Sequence, residues 1–140
     1  MSFTKILIIE DDDVTALNLT LSLEALDYEV VSTANNNKQS ALKKLKVYYP
    51  DLVLIDIDLK GKKEGIEIAQ FIRDNIPRPF IYLTAHSEST ILISAKQTEP
   101  YGYIVKPFDP ISLHTTIQMA LYRFESEKKR FVNIDELQHK

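Results

Sequence analysis

Four consecutive acids, Glu10-Asp11-Asp12-Asp13, follow directly on the apolar run Ile6-Leu7-Ile8-Ile9. A second apolar run, Leu52-Val53-Leu54-Ile55, ends in Asp56, with Asp58 two positions on. A third, Phe80-Ile81-Tyr82-Leu83, ends in Thr84-Ala85, and Tyr103-Ile104-Val105 ends in Lys106-Pro107. Carboxylates gathered on one edge repel one another unless a cation sits among them. Oxygen ligands without histidine or cysteine suit a hard ion, Mg²⁺ or Mn²⁺. A carboxylate is also a nucleophile able to form an acyl phosphate. A lysine point charge and a hydroxyl would hold the remaining phosphoryl oxygens. Taken together, the residue types are those of phosphoryl chemistry.

For these groups to meet, the apolar runs must lie side by side. Runs without polar alternation suit strands buried on both faces, as in a parallel sheet covered by helices. A weaker run at Tyr28-Glu29-Val30-Val31 makes five. Between them lie segments of helical period. Val14, Leu17 and Leu21 set the first stripe, widened by Leu19, Leu23 and Leu26. Ala41, Leu42 and Leu45 mark the second, Ile66, Ala69 and Ile72 the third, and Ile91 and Ala95 the fourth. Leu113, Ile117, Ala120, Leu121 and Phe124 mark the fifth, with Asp109-Pro110 as its N-cap and first turn. Five repeats of strand then helix predict an α/β domain with a doubly wound parallel sheet. In such a sheet ligands bind beyond the carboxyl ends of the strands, where the polar groups fall. Periodicity alone does not fix the strand order.

The 140 residues fit one domain with a real core. A net charge of −3 gives no sign of nucleic acid or an anionic membrane as partner. The absence of cysteine excludes disulfides, thiolate zinc sites and thiol catalysis. His86, His114 and His139 are scattered, and the latter two read as surface residues. No stretch reaches the roughly 20 apolar residues that span a bilayer, and no signal peptide is recognisable. A cytoplasmic protein is the expectation.

The segments ILIIEDD, DLVLIDIDLKGKKEGIE, IYLTAHSE and YGYIVKPFD resemble, in order and spacing, the response-regulator receiver family of two-component signalling. The resemblance implies the flavodoxin-like (βα)5 fold with strand order 2-1-3-4-5. It implies a receiver domain over 1–125 and a tail or helix extension over 126–140. It makes Asp56 the phosphoacceptor, loaded by a histidine kinase or a histidine phosphotransfer protein. Asp11 would ligate Mg²⁺ directly, Glu10 through water, and Asp58 through its backbone carbonyl. Thr84 would be the switch hydroxyl, Lys106 the phosphate-binding lysine on a cis bond to Pro107, and Tyr103 the aromatic switch. The surface of the fourth helix, fifth strand and fifth helix would then engage an output protein or domain, or a second copy in a homodimer. Such a domain catalyses only its own phosphorylation and dephosphorylation.

Plainer readings stand beside these. Asp13 is an N-cap candidate, Asp11-Asp12 is the alternative acidic pair, and Tyr103 fits a half-buried strand aromatic. Lys62-Lys63 and Lys128-Lys129-Arg130 read as solvated charge. The rival function is a haloacid-dehalogenase-type phosphatase, with Asp56 as nucleophile and Asp58 as acid/base in an Asp-x-Asp motif. That family begins with its Asp-x-Asp and ends with its acidic pair, the reverse of the order here. A flavodoxin-like cofactor binder would need hydroxyl- or glycine-rich phosphate loops where this chain has acids. The charged stretch Tyr122 to Arg130 favours a last helix that runs on past the domain.

Asp58 and His86 flank the path of an attacking water in the resembling family, so they are expected to set the acyl-phosphate lifetime. Asp58→Ala and His86→Ala are each expected to change the rate of phosphate release after labelling. An unaltered rate in both variants would refute that role.

Overall fold

The computed structural model describes residues 3–34, 38–57, 64–85 and 95–138, without the side chains of 33–34 and 131–138. Its strands are β1 (Lys5–Ile9), β2 (Glu29–Ala34), β3 (Leu52–Asp56), β4 (Phe80–Thr84) and β5 (Tyr103–Val105). Helices α1 (Asp13–Ala25), α2 (Lys38–Tyr48), α3 (Glu64–Asn75) and α4, the C-terminal helix (Pro110–Gln138), complete the order. The five strands form one parallel sheet in the order β2-β1-β3-β4-β5. The helix expected around Ile91 falls largely outside the described residues.

Both faces of the sheet are covered, which is why its central strands lack polar alternation. All five residues of β3 and of β4 are buried. Side chains alternate between two apolar layers, as the two-residue strand period requires. Leu7, Ile9, Val53 and Ile55 pack with Ala41 and Leu45 of α2 and Ile68, Ala69 and Ile72 of α3. Ile6, Ile8, Leu52 and Leu54 face Leu19 and Leu23 of α1 and Leu113, Ile117 and Ala120 of the C-terminal helix. The chain reverses direction of travel at β1, whose neighbours are β2 and β3. In sheets of this kind such a reversal is where ligands bind beyond the strand ends.

Helix α1 departs from the sequence reading in two ways. Its N-cap is Asp12, whose carboxylate accepts from the Thr15 amide at 3.2 Å and the Thr15 hydroxyl at 2.5 Å; Asp13 is the first helical residue. Its buried face is Ala16, Leu19 and Leu23, whereas Val14, Leu17 and Leu21 are 66%, 58% and 57% exposed. Apolar residues stand on two faces of this helix, so spacing fixes the period but not the phase. The Asp109 cap behaves as expected, accepting from the Ser112 amide at 2.7 Å.

Phase can be tested directly. Leu19→Ala is expected to cost about 2–5 kcal/mol of unfolding free energy in urea. Leu17→Ala should stay within about 0.5 kcal/mol of wild type. Equal costs would contradict the assignment of the buried face.

Candidate functional site

Among the described residues the buried polar or charged side chains are Glu10, Asp56, Thr84 and Thr98. Three of these four lie at the carboxyl rim of the sheet, where β1, β3 and β4 end. Register puts them there: Ile9 pairs with Ile55, Asp56 with Leu83, and Thr84 with Val105. Pairing continues one step past the strands, with the Ile57 amide donating to Leu83 O at 3.1 Å and the Lys106 amide to Thr84 O at 2.8 Å.

Lys106 reaches back across the rim. Its ammonium donates to Asp56 Oδ2 at 3.0 Å and lies 3.1 Å from Glu10 Oε2. The two carboxylates it meets stand 50 and 96 positions earlier in the sequence, so topology and not chain proximity makes the contact. Glu10 Oε2 is within ion-pair distance but has no aligned hydrogen bond, whereas Oε1 accepts from the Asp12 amide at 3.2 Å. Burial pushes the Glu10 carboxyl up to about 7, the adjacent Asp56 reinforces the rise, and Lys106 opposes it. Burial also works to lower the Lys106 pKa, but Asp56 and Glu10 outweigh it and hold the ammonium charged above its ordinary range.

Asp11 follows Glu10 and is part-buried. Asp12, the other half of the alternative acidic pair, is exposed and committed to capping α1, and its hydrogen bonds to Thr15 hold its pKa down. Asp58 and His86 lie outside the described residues. Among those described, no three metal-ligating side chains are gathered as a ready metal centre. The donor chemistry nevertheless fits a hard cation. Glu10 and Asp56 set two carboxylates against one lysine, and a buried Glu10 oxygen is without a hydrogen bond. All available donors are oxygens.

The proposed switch residues occupy neighbouring strands. Thr84 is 1% exposed at the end of β4. Tyr103, part-buried, stands in register with Tyr82, their ring centroids 5.9 Å apart. The Tyr103 hydroxyl is buried without a hydrogen-bond partner, while the Tyr82 hydroxyl bonds Thr98 Oγ1 at 2.6 Å. The Lys106-Pro107 bond is cis. His114, exposed, pairs through Nδ1 with the Tyr28 hydroxyl at 2.9 Å.

Gly65 is a residue whose role the sequence reading missed. A methyl group there would lie 2.7 Å from the carbonyl oxygen of Asp56 and 3.3 Å from Ile57 Cα. The start of α3 therefore presses against the backbone that carries Asp56, and only glycine permits it. The available signal was a glycine in a first helical turn, where alanine is the better helix former.

The response regulator receiver domain family matches residues 6–118. The regulatory protein PdtaR of Mycobacterium tuberculosis is 31% identical over 86% of this chain and 58% of its own length. KdpE of Staphylococcus aureus is 34% identical over 83% of this chain and 49% of its own length. The signal receiver domain of a modulated diguanylate cyclase from Desulfovibrio desulfuricans superimposes with a TM-score of 0.83 at 31% identity, covering 90% of this chain and 99% of that one. A CheY-like receiver domain protein from Methanospirillum hungatei gives 0.75 at 29%, covering 90% and 99%. With its five-stranded 2-1-3-4-5 sheet, the chain belongs to the response regulator receiver family. It spans about half the length of the full-length relatives it matches. The phosphatase alternative finds no support in these matches.

Gly65→Ala is expected to lower stability by about 1–3 kcal/mol in urea, through overpacking against the Asp56 carbonyl, and to slow labelling at Asp56. Wild-type values in both assays would show that the close approach is not needed.

Proposed function

We propose that the chain is a phosphoacceptor receiver, taking a phosphoryl group onto Asp56 from a histidine kinase or a histidine phosphotransfer protein. The observation that carries this reading is the Lys106 ammonium, 3.0 Å from Asp56 and 3.1 Å from Glu10 at the rim of a receiver fold. An Asp56 oxygen attacks phosphorus, the phosphorus–nitrogen bond of the donor phosphohistidine breaks, and the imidazole leaves with the electron pair. The carboxylate becomes a mixed anhydride. Lys106, already charged and aimed across the rim, exchanges an aspartate oxygen for phosphoryl oxygens. Thr84 supplies a hydroxyl to the same group.

Asp11, Asp56, the Asp58 carbonyl and, through water, Glu10 would hold Mg²⁺ or Mn²⁺. Bound there, the cation would neutralise charge on the transferring phosphoryl group. The chain turns over no other substrate in this reading. Val14, Leu17 and Leu21 form an exposed apolar stripe on the helix that starts beside the site. That stripe suits a helical phosphodonor resting against α1.

Phosphorylation adds about −1.5 to −2 charges. Thr84 and Tyr103 would pass the change to the surface of the fourth helical segment, β5 and the C-terminal helix. There an output protein, an output domain or a second copy would read it. No helix of the described residues is long and apolar enough to cross a membrane.

Acetyl phosphate with Mg²⁺ is expected to label the wild type, and chelation should abolish the labelling. Asp56→Asn should reduce it to background. Equal labelling of the variant would show that Asp56 is not the acceptor.

A further inference from the structure

The C-terminal helix is 29 residues long, about 43 Å at 1.5 Å per residue. Its first half is seated on the sheet through Leu113, Ile117 and Ala120, all buried. Past Phe124 the described hydrogen bonds and ion pairs give it one polar tether to the rest of the domain. That tether is the Tyr101 hydroxyl, which donates to Glu127 Oε2. The same ring meets Phe124 edge-on at 6.0 Å and carries the Arg123 guanidinium 4.7 Å from its centroid. Arg123 in turn lies 3.5 Å from Glu127 Oε1, so three residues of one helical turn close around a single tyrosine.

Tyr101 is not an arbitrary anchor. Its amide donates to Phe80 O at 2.9 Å, and Gly102 O accepts from the Tyr82 amide at 3.1 Å, so this stretch continues the β4–β5 ladder. A methyl group at Gly102 would lie 3.0 Å from Thr116 Cγ2, so the backbone here lies close against the C-terminal helix. At its other end the same stretch delivers Lys106 to Asp56 and Glu10. Tyr101 and Lys106 are therefore the two ends of one extended stretch about 17 Å long. One end holds the site and the other holds the helix.

We propose that the Tyr101–Glu127 contact is the joint through which loading at Asp56 changes the attachment of the C-terminal helix beyond Glu127, making that segment an output arm. The inference rests on the phosphoacceptor reading of Asp56. A displacement of Lys106 toward a phosphoryl group draws on β5. A short paired strand transmits that draw to Tyr101, whose hydroxyl donates to Glu127 in the later half of the C-terminal helix. Only a contact that differs between the two states can shift the arm.

The test uses the whole chain, Tyr101→Phe and Glu127→Leu, each with and without beryllium trifluoride plus Mg²⁺. Hydrogen exchange is followed at residues 128–138, and acetyl phosphate labelling is run in parallel. In the wild type, loading is expected to change exchange in the arm at least threefold. Both variants should label at Asp56 within twofold of wild type, yet show less than a 1.5-fold change on loading. Glu127→Leu removes the acceptor while leaving the tyrosine itself in place, and so guards against a folding defect at Tyr101. If labelling succeeds but the wild-type arm does not respond, the joint is refuted and the acceptor reading survives. A response retained in both variants, or equal fraying of the arm in both states, also refutes it. Absence of labelling in the wild type overturns the acceptor reading and this inference together.

Discussion

An ammonium held between two buried carboxylates is the constraint on which this molecule turns. Lys106 at the end of β5 meets Asp56 at the end of β3 and Glu10 just past β1. Removing one partner of a buried ion pair leaves an uncompensated charge, commonly at a cost of about 3–5 kcal/mol. The arrangement is therefore held by the sheet, not by the pair alone. Apolar strands covered on both faces fix the register, and the register fixes the distance. Two carboxylates stand against one ammonium at this rim, an excess of negative charge that a divalent cation would relieve.

The close approach of α3 belongs to the same design. Gly65 lets the helix start touch the Asp56 carbonyl, so the backbone of Asp56 is packed against α3 while its side chain is held by Lys106. Across the sheet, Tyr82 and Tyr103 lie side by side with unequal fortunes. One hydroxyl is bonded to Thr98 and the other is buried without a partner. An unsatisfied buried hydroxyl costs on the order of 1–3 kcal/mol. Tyr103 is therefore held by fewer polar contacts than its neighbour Tyr82.

Much of this was legible in the residues. The strands were visible because doubly buried strands leave continuous apolar runs, and the rim residues were visible because four of those runs end directly in polar groups. Strand order was not legible from periodicity and came from resemblance. The phase of α1 was misread because Leu17 and Leu21 keep helical spacing as faithfully as Leu19 and Leu23. Asp12 rather than Asp13 caps that helix because the choice depends on where the backbone turns, which composition does not reveal. Gly65 was passed over because its significance is a distance to a strand residue nine positions earlier. The Tyr101–Glu127 contact was likewise invisible, since it joins a loop to a helix 26 residues away.

The location of the phosphoryl group is the most direct measure of the whole account. After loading with acetyl phosphate and Mg²⁺, borohydride reduction converts an acyl phosphate on aspartate into homoserine, which peptide mass spectrometry can place. The account predicts homoserine at residue 56 alone. Homoserine at residue 11, 12 or 13, with residue 56 intact, would contradict it.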